Sequence, residues 1–134
     1  MYKKIAVAML VFVCLSMAGC SKDADVNAFI SEFDTVTNEI VKKVDANPSS
    51  AGVDDAQKYF DSKKADLQTK WDAIKNAAQA RVSKEVMENL NKSVTKNTSA
   101  IGGLATKHMS EMSKDPQMAT KLSKLAQDYG SVFK

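Results

Sequence analysis

The residues best suited to bind a metal lie close together late in the chain, in the stretch HMSEM. His108 is the only histidine, and Met109 and Met112 lie within four residues of it. Imidazole and thioether groups are borderline and soft donors, a combination that suits copper(I). Residues 108 and 112 would share one face of a helix. The spacing therefore predicts a candidate metal site at His108, Met109 and Met112. The alternative, which we favour, places both methionines in the core and His108 on the surface.

Catalytic residue types occur without the partners that an active site needs. Nucleophilic catalysis requires a nucleophile, a base and a group that orients the base. No serine lies in a nucleophile-elbow sequence, and the chain has no phosphate-binding loop. The acidic pairs are Asp54 with Asp55, and Glu32 with Asp34. Residues so close in sequence point to different sides of a helix, so we interpret them as solvated surface. The sequence predicts no enzyme.

Three aromatic residues are candidates for either core packing or recognition. Phe60 and Trp71 fall on or beside a heptad-like seam, which favours the core. Tyr59 is the immediate neighbour of Phe60 and must point elsewhere. Aromatic side chains are enriched at the energetic centres of protein interfaces. Tyr59 is therefore the aromatic candidate for contact with a partner.

The N-terminus has the three-part layout of a secretory signal. Lys3 and Lys4 form a short positive region, and an apolar run of eleven residues follows from Ile5 to Leu15. Small residues dominate residues 16–19. A membrane-spanning helix needs roughly 17–25 residues, so this run is too short to be a spanning anchor.

The end of the signal is compatible with two cleavage sites. Met17-Ala18-Gly19-Cys20 resembles the lipobox of bacterial lipoproteins. The resemblance implies removal of residues 1–19, a diacylglycerol on the Cys20 thiol and often a further acyl chain on the new amino end, with palmitate as the type of acyl chain. We expect no cofactor besides this lipid. Because Ser21 follows the cysteine in place of Asp, it also implies the outer membrane, facing the periplasm or the cell exterior. The alternative is cleavage after Ala18, which would release a soluble secreted chain.

Removal of the signal changes the charge and the cysteine count. It leaves 115 residues with 17 basic and 16 acidic side chains, and it removes Cys14. Cys20 is then the only cysteine, so no internal disulfide can form. A near-neutral chain has no electrostatic footprint for nucleic acid. We expect the partners to be the lipid bilayer, through the acyl anchor, and another envelope protein.

Apolar residues recur at helical spacing through the mature chain, which has few glycines and prolines. A first helix is predicted from Val26, and the turn signal ANPSSAG ends it at residues 46–52. A second helix carries a seam of residues spaced seven apart: Val53, Phe60, Leu67 and Ile74.

Two further helices follow. Ser83 is a candidate N-cap after a short turn at residues 81–83, and Asn97 falls on the apolar side of this third helix. Gly102-Gly103 predicts a kink or a close helix contact. Asp115 followed by Pro116 marks the start of the fourth helix.

These elements predict one all-α domain. A signal peptide (1–19) and a lipidated cysteine with a polar tether (20–25) precede a small antiparallel helical bundle of four helices (26–134). The alternative has three helices, with the second and third fused. The function expected from this organisation is a membrane-anchored, non-enzymatic binding or structural module of the bacterial cell envelope.

Overall fold

The fold is an all-α bundle, as predicted. A computed structural model describes residues 21–76 and 81–134, and every regular element in these two ranges is helical. The elements are α1 (Asp23–Ala46), α2 (Ser50–Lys75), α3 (Lys84–Lys107), the short α4 (Met109–Lys114), α5 (Pro116–Gly130) and a 3₁₀ turn (Ser131–Phe133).

The beginning of α1 shortens the predicted tether. The helix begins at Asp23, so three of the residues expected in a polar tether over 20–25 are helical. The Ser21 hydroxyl accepts the backbone N–H of Asp23 at 3.1 Å and so satisfies one of the free donors of the first turn.

The two predicted breaks near α2 have clear local causes. The Ser49 hydroxyl accepts the N–H of Gly52, and a Cβ at Gly52 would lie 1.7 Å from the carbonyl oxygen of Asn47. Only glycine fits at this position, where the first turn of α2 packs closely on the backbone of Asn47. At the start of α3, Ser83 has extended backbone (φ −65°, ψ 152°) and its hydroxyl accepts the N–H of Val86. Ser83 is thus the predicted N-cap, and α3 does not continue from α2.

The late kink lies at a different residue from the one predicted. Helix α3 runs through Gly102 and Gly103, and a Cβ on either glycine would meet nothing within 4 Å. The expectation of a kink or close contact there was wrong. The helix is instead interrupted at His108, whose backbone (φ −107°, ψ 27°) is not helical. The two glycines suggested a kink only because glycine has a low helix propensity. The helical turns on either side of them outweigh this cost.

Each long helix runs opposite to the long helix before it in the chain, but two pairs of helices that are neighbours in space are parallel. Helix α1 packs along α2 and α3, and α5 packs along the same two helices, so the order around the bundle is α1, α2, α5, α3. The first residues of α1 contact the segment just before α3, and its last residues contact the end of α3. Likewise, Ser50 at the start of α2 contacts Asp115 just before α5, and Gln68, further along α2, contacts Ser131 just after α5. The expected antiparallel packing holds for α1 with α2. The pairs α1–α3 and α2–α5 are parallel because α2 and α3, which follow one another in the chain, lie at diagonal corners of the bundle and not at adjacent ones.

The predicted apolar stripes meet in one core. Phe29, Phe33 and Phe60 have no exposed surface, and the ring of Tyr129 stacks on Phe33 with centroids 5.2 Å apart. Trp71 is half-buried, with its ring 5.0 Å from that of Phe133. Burying one such apolar side chain contributes about 1.5–3 kcal/mol. All four seam residues of α2 are fully buried as predicted: Val53, Phe60, Leu67 and Ile74.

Candidate functional site

His108 lies at the boundary between α3 and α4 and joins the two helices. Its backbone N–H donates to the carbonyl of Leu104 at 3.0 Å, and its own carbonyl accepts the N–H of Met112 at 3.0 Å. The side chain is buried, with 7% of its surface exposed. The favoured expectation that His108 lies on the surface was therefore wrong. The burial follows from its position on the stripe that continues α3 toward the core.

The imidazole of His108 is held by a carboxylate of α1. Its Nε2 lies 2.8 Å from Oδ1 of Asp45, and its Nδ1 lies 3.8 Å from a carboxylate oxygen of Glu111. Lys107 donates to the other oxygen of Asp45 at 2.6 Å. The hydrogen bond from Lys107, with a smaller contribution from His108, holds the pKa of the Asp45 carboxyl below its usual range. Asp45 thus links the end of α1 to the end of α3.

The three residues of the predicted metal site lie in different environments. His108 is buried and hydrogen-bonded to Asp45, and Met112 packs partly buried against the core. Met109 is 60% exposed, so the favoured expectation that both methionines lie in the core was wrong for Met109. A metal on Nε2 of His108 would have to displace the Asp45 carboxylate. Within residues 21–76 and 81–134, no three His, Cys, Asp or Glu side chains lie close enough together to hold a metal ion. The methionine-containing site stays a prediction.

A buried polar cluster lies between α1 and α3, and the sequence indicated only one of its members, Asn97. Oδ1 of Asp34 accepts the hydroxyl of Ser93 at 2.6 Å and also the side-chain amide of Asn97. The amide of Asn97 donates to Ser93 as well, at 3.1 Å, and Asn97 is 1% exposed. Asp34 was expected on the solvated surface, and it is instead half-buried at this seam. The available signal was Asn97 on an apolar stripe, since a buried amide needs a partner.

A second buried polar pair joins α1 to α5. The hydroxyls of Thr37 and Tyr129 share a hydrogen bond, and Thr37 also donates to the carbonyl of Phe33 at 2.8 Å. Burial raises the pKa of the Tyr129 phenol well above its usual range. Tyr129 therefore stays neutral inside the core and holds two diagonal helices in register.

Tyr59 is half-buried rather than projecting freely into solvent. Its ring packs against the core, and Nζ of Lys43 lies 5.6 Å from the ring centroid, a cation–π distance. Burial, and then the nearby carboxylate of Glu39, raise the pKa of its phenol. One face of Tyr59 therefore joins α2 to α1, and its role in partner binding stays a prediction.

Cys20, the predicted lipidation site, lies outside the described residues. The part of the chain that follows it contains no helix long and apolar enough to cross a membrane, over residues 21–76 and 81–134. Comparisons with protein-family models, with curated proteins and with solved structures found no match to this chain.

Proposed function

We propose that this protein is a bacterial lipoprotein of the outer membrane, in which a bundle of four long helices acts as a non-enzymatic binding or structural module. Its lipid is carried by Cys20, and its partner is another protein of the cell envelope. Anchoring confines the bundle to a surface and raises its effective concentration near membrane partners.

The observation that carries the proposal is the order of residues at the N-terminus. Met17-Ala18-Gly19-Cys20 follows directly on an apolar run of eleven residues, and α1 begins only three residues after the cysteine. Each methylene buried in a bilayer contributes about 0.8 kcal/mol, and two or more acyl chains give stable anchoring where one does not. A lone thiol on a secreted protein would be reactive, and acylation removes that reactivity.

The polar groups of the bundle support a structural role. Asp34 with Asn97, Thr37 with Tyr129, and Asp45 with His108 each connect two different helices. Within each pair, the polar groups form their hydrogen bonds with each other. This favours a rigid scaffold whose functional surface is on the outside.

The test is membrane fractionation combined with crosslinking in a bacterial host. The full chain with its own signal should sediment with the outer membrane and crosslink to an envelope protein. Cys20→Ser should shift the protein to the soluble fraction and abolish the crosslink, while Cys14→Ser, which changes only the signal, should leave both unchanged. A wild-type protein that is soluble in the periplasm would overturn the proposal. It would support the alternative of cleavage after Ala18.

The alternative of a metal or small-ligand carrier has its own test. It requires a stoichiometric metal or a visible absorption band after gentle purification, with His108, Met109 and Met112 in the site. His108→Ala should then abolish the bound metal, and Met87→Leu, which changes a methionine elsewhere in the chain, should not. Metal content that is the same in wild type and His108→Ala would exclude this carrier.

A further inference from the structure

The position at which the chain enters the bundle is held by hydrogen bonds from two backbone N–H groups. The N–H of Lys22 donates to the carbonyl of Arg81 at 2.9 Å. The N–H of Ser83 donates to Oδ1 of Asp23 at 2.8 Å. The segment that precedes α1 is therefore bound to the segment that precedes α3. Both lie at one end of the bundle, which we call the tether end (residues 21–25, 72–76 and 81–88).

The distance from the lipidation site to this end is short. Asp23 is the third residue after Cys20, and an extended chain spans at most about 3.6 Å per residue, so the separation is at most about 11 Å. The opposite end carries the turn at residues 47–49 and the boundary at His108. It lies one α1 length away, and 24 residues at 1.5 Å per residue span about 36 Å.

We infer that the tether end rests on the phospholipid headgroups and that the opposite end, with His108 and Asp45, projects into the aqueous space. This orientation rests on the proposed lipid anchor at Cys20. The tether end thus contacts the surface of the same bilayer in which the acyl chains are inserted. The reason is that a tether of about 11 Å is much shorter than the bundle, and its exit is fixed beside Arg81 rather than along a side of the bundle.

The charges of the tether end favour a neutral membrane surface. Its ion pairs are Lys22 with Asp25 at 3.0 Å, Lys75 with Asp72 at 2.6 Å, and Lys84 with Glu88 at 3.9 Å. Cations and carboxylates are thus mixed, and a net basic patch does not form. The tether, and not attraction to anionic lipid, sets the orientation, so the orientation should persist at high salt.

Four matched lysine-to-cysteine variants test this orientation in the full, lipidated protein. Cys14 leaves with the signal and Cys20 is acylated, so each introduced thiol can be labelled alone with a fluorophore. Lys84→Cys reports the tether end, Lys114→Cys the opposite end, and Lys58→Cys and Lys96→Cys the sides formed by α2 and α3. All four positions are exposed to solvent. The labelled proteins are reconstituted into phosphatidylcholine vesicles that contain a lipid with a nitroxide on its headgroup.

The expected result is a gradient of quenching along the bundle. The label at residue 84 should be quenched at least about fivefold more strongly than the label at residue 114, because the two ends differ in height by about 36 Å. Equal quenching at both ends, or strongest quenching at residue 58 or 96, would show that the bundle lies on its side and would overturn the orientation alone. Failure of the protein to float with the vesicles would overturn the lipid anchor and the orientation together.

Discussion

The buried amide of Asn97 makes a strong test of how the bundle is held together. Its side chain donates to Asp34 and to Ser93, and it is almost completely buried at the seam between α1 and α3. Asn97→Ala removes both hydrogen bonds and leaves the Asp34 carboxylate with a single donor from Ser93. We expect this substitution to lower the free energy of unfolding.

The size of the effect follows from the charge on the acceptor. A hydrogen bond to a charged group contributes about 1.5–3 kcal/mol, and a buried group left without its partner costs about 1–3 kcal/mol. Alanine has a higher helix propensity than asparagine, by up to about 0.7 kcal/mol, which offsets part of the loss. The exposed Asn91 lies on the same helix, so Asn91→Ala measures that propensity gain alone. Relative to this control, Asn97→Ala should destabilise the protein by about 2–3 kcal/mol.

Urea unfolding followed by far-UV circular dichroism measures the difference. A double-mutant cycle with Asp34→Ala isolates the pair, and the coupling energy between Asp34 and Asn97 should be about 1.5–3 kcal/mol. A coupling energy near zero, or equal stabilities of Asn97→Ala and Asn91→Ala, would refute the argument that this cluster joins α1 to α3.

Four further substitutions test other parts of the fold. Gly102→Ala should stabilise the protein by about 0.5–1 kcal/mol, because its Cβ meets open space, whereas Gly52→Ala should destabilise it because its Cβ meets a backbone oxygen; thermal unfolding of both variants checks the contrast. Because the pKa of Tyr129 is raised in the folded state, its neutral phenol contributes to the stability of wild type, and this contribution is fully present below about pH 10. That contribution is lost as the pH rises toward the folded pKa, at about 1.4 kcal/mol per pH unit, and Tyr129→Phe should lack this dependence in alkaline urea titrations. The N–H of Ser50 holds the pKa of Asp115 low, so Asp115→Ala should lower the urea midpoint at pH 7, and the gap to wild type should close as the pH falls below about 4. A gap that is unchanged at low pH would contradict the charge-based role of Asp115.

Local patterns in the sequence predicted much of the helical framework. The apolar spacing located the buried faces of the long helices, and the signals at Ser83, Pro116 and residues 46–52 marked helix boundaries that the structure has. Asp115 precedes α5 as predicted, but its carboxylate accepts the N–H of Ser50 at 2.7 Å and so serves the first turn of α2. A capping signal specifies the helix start, and it does not specify which helix end the side chain will reach.

The arrangement of the helices and the polar contacts between them lay beyond the sequence. Nothing in the spacing indicates that α3 lies parallel to α1, and this arrangement decides that Asp34 meets Asn97 and that Asp45 meets His108. Each of these contacts joins residues about 60 positions apart. Such contacts depend on the order of the helices around the bundle, which amphipathic stripes alone leave open.

The direct test of the lipid anchor is the intact mass of the protein after expression in a bacterial host with its own signal. We expect a chain that has lost residues 1–19 and carries a lipid-sized increment on the peptide that contains Cys20. An unmodified chain that begins at Gly19 would contradict this expectation and would establish a soluble protein with a free thiol.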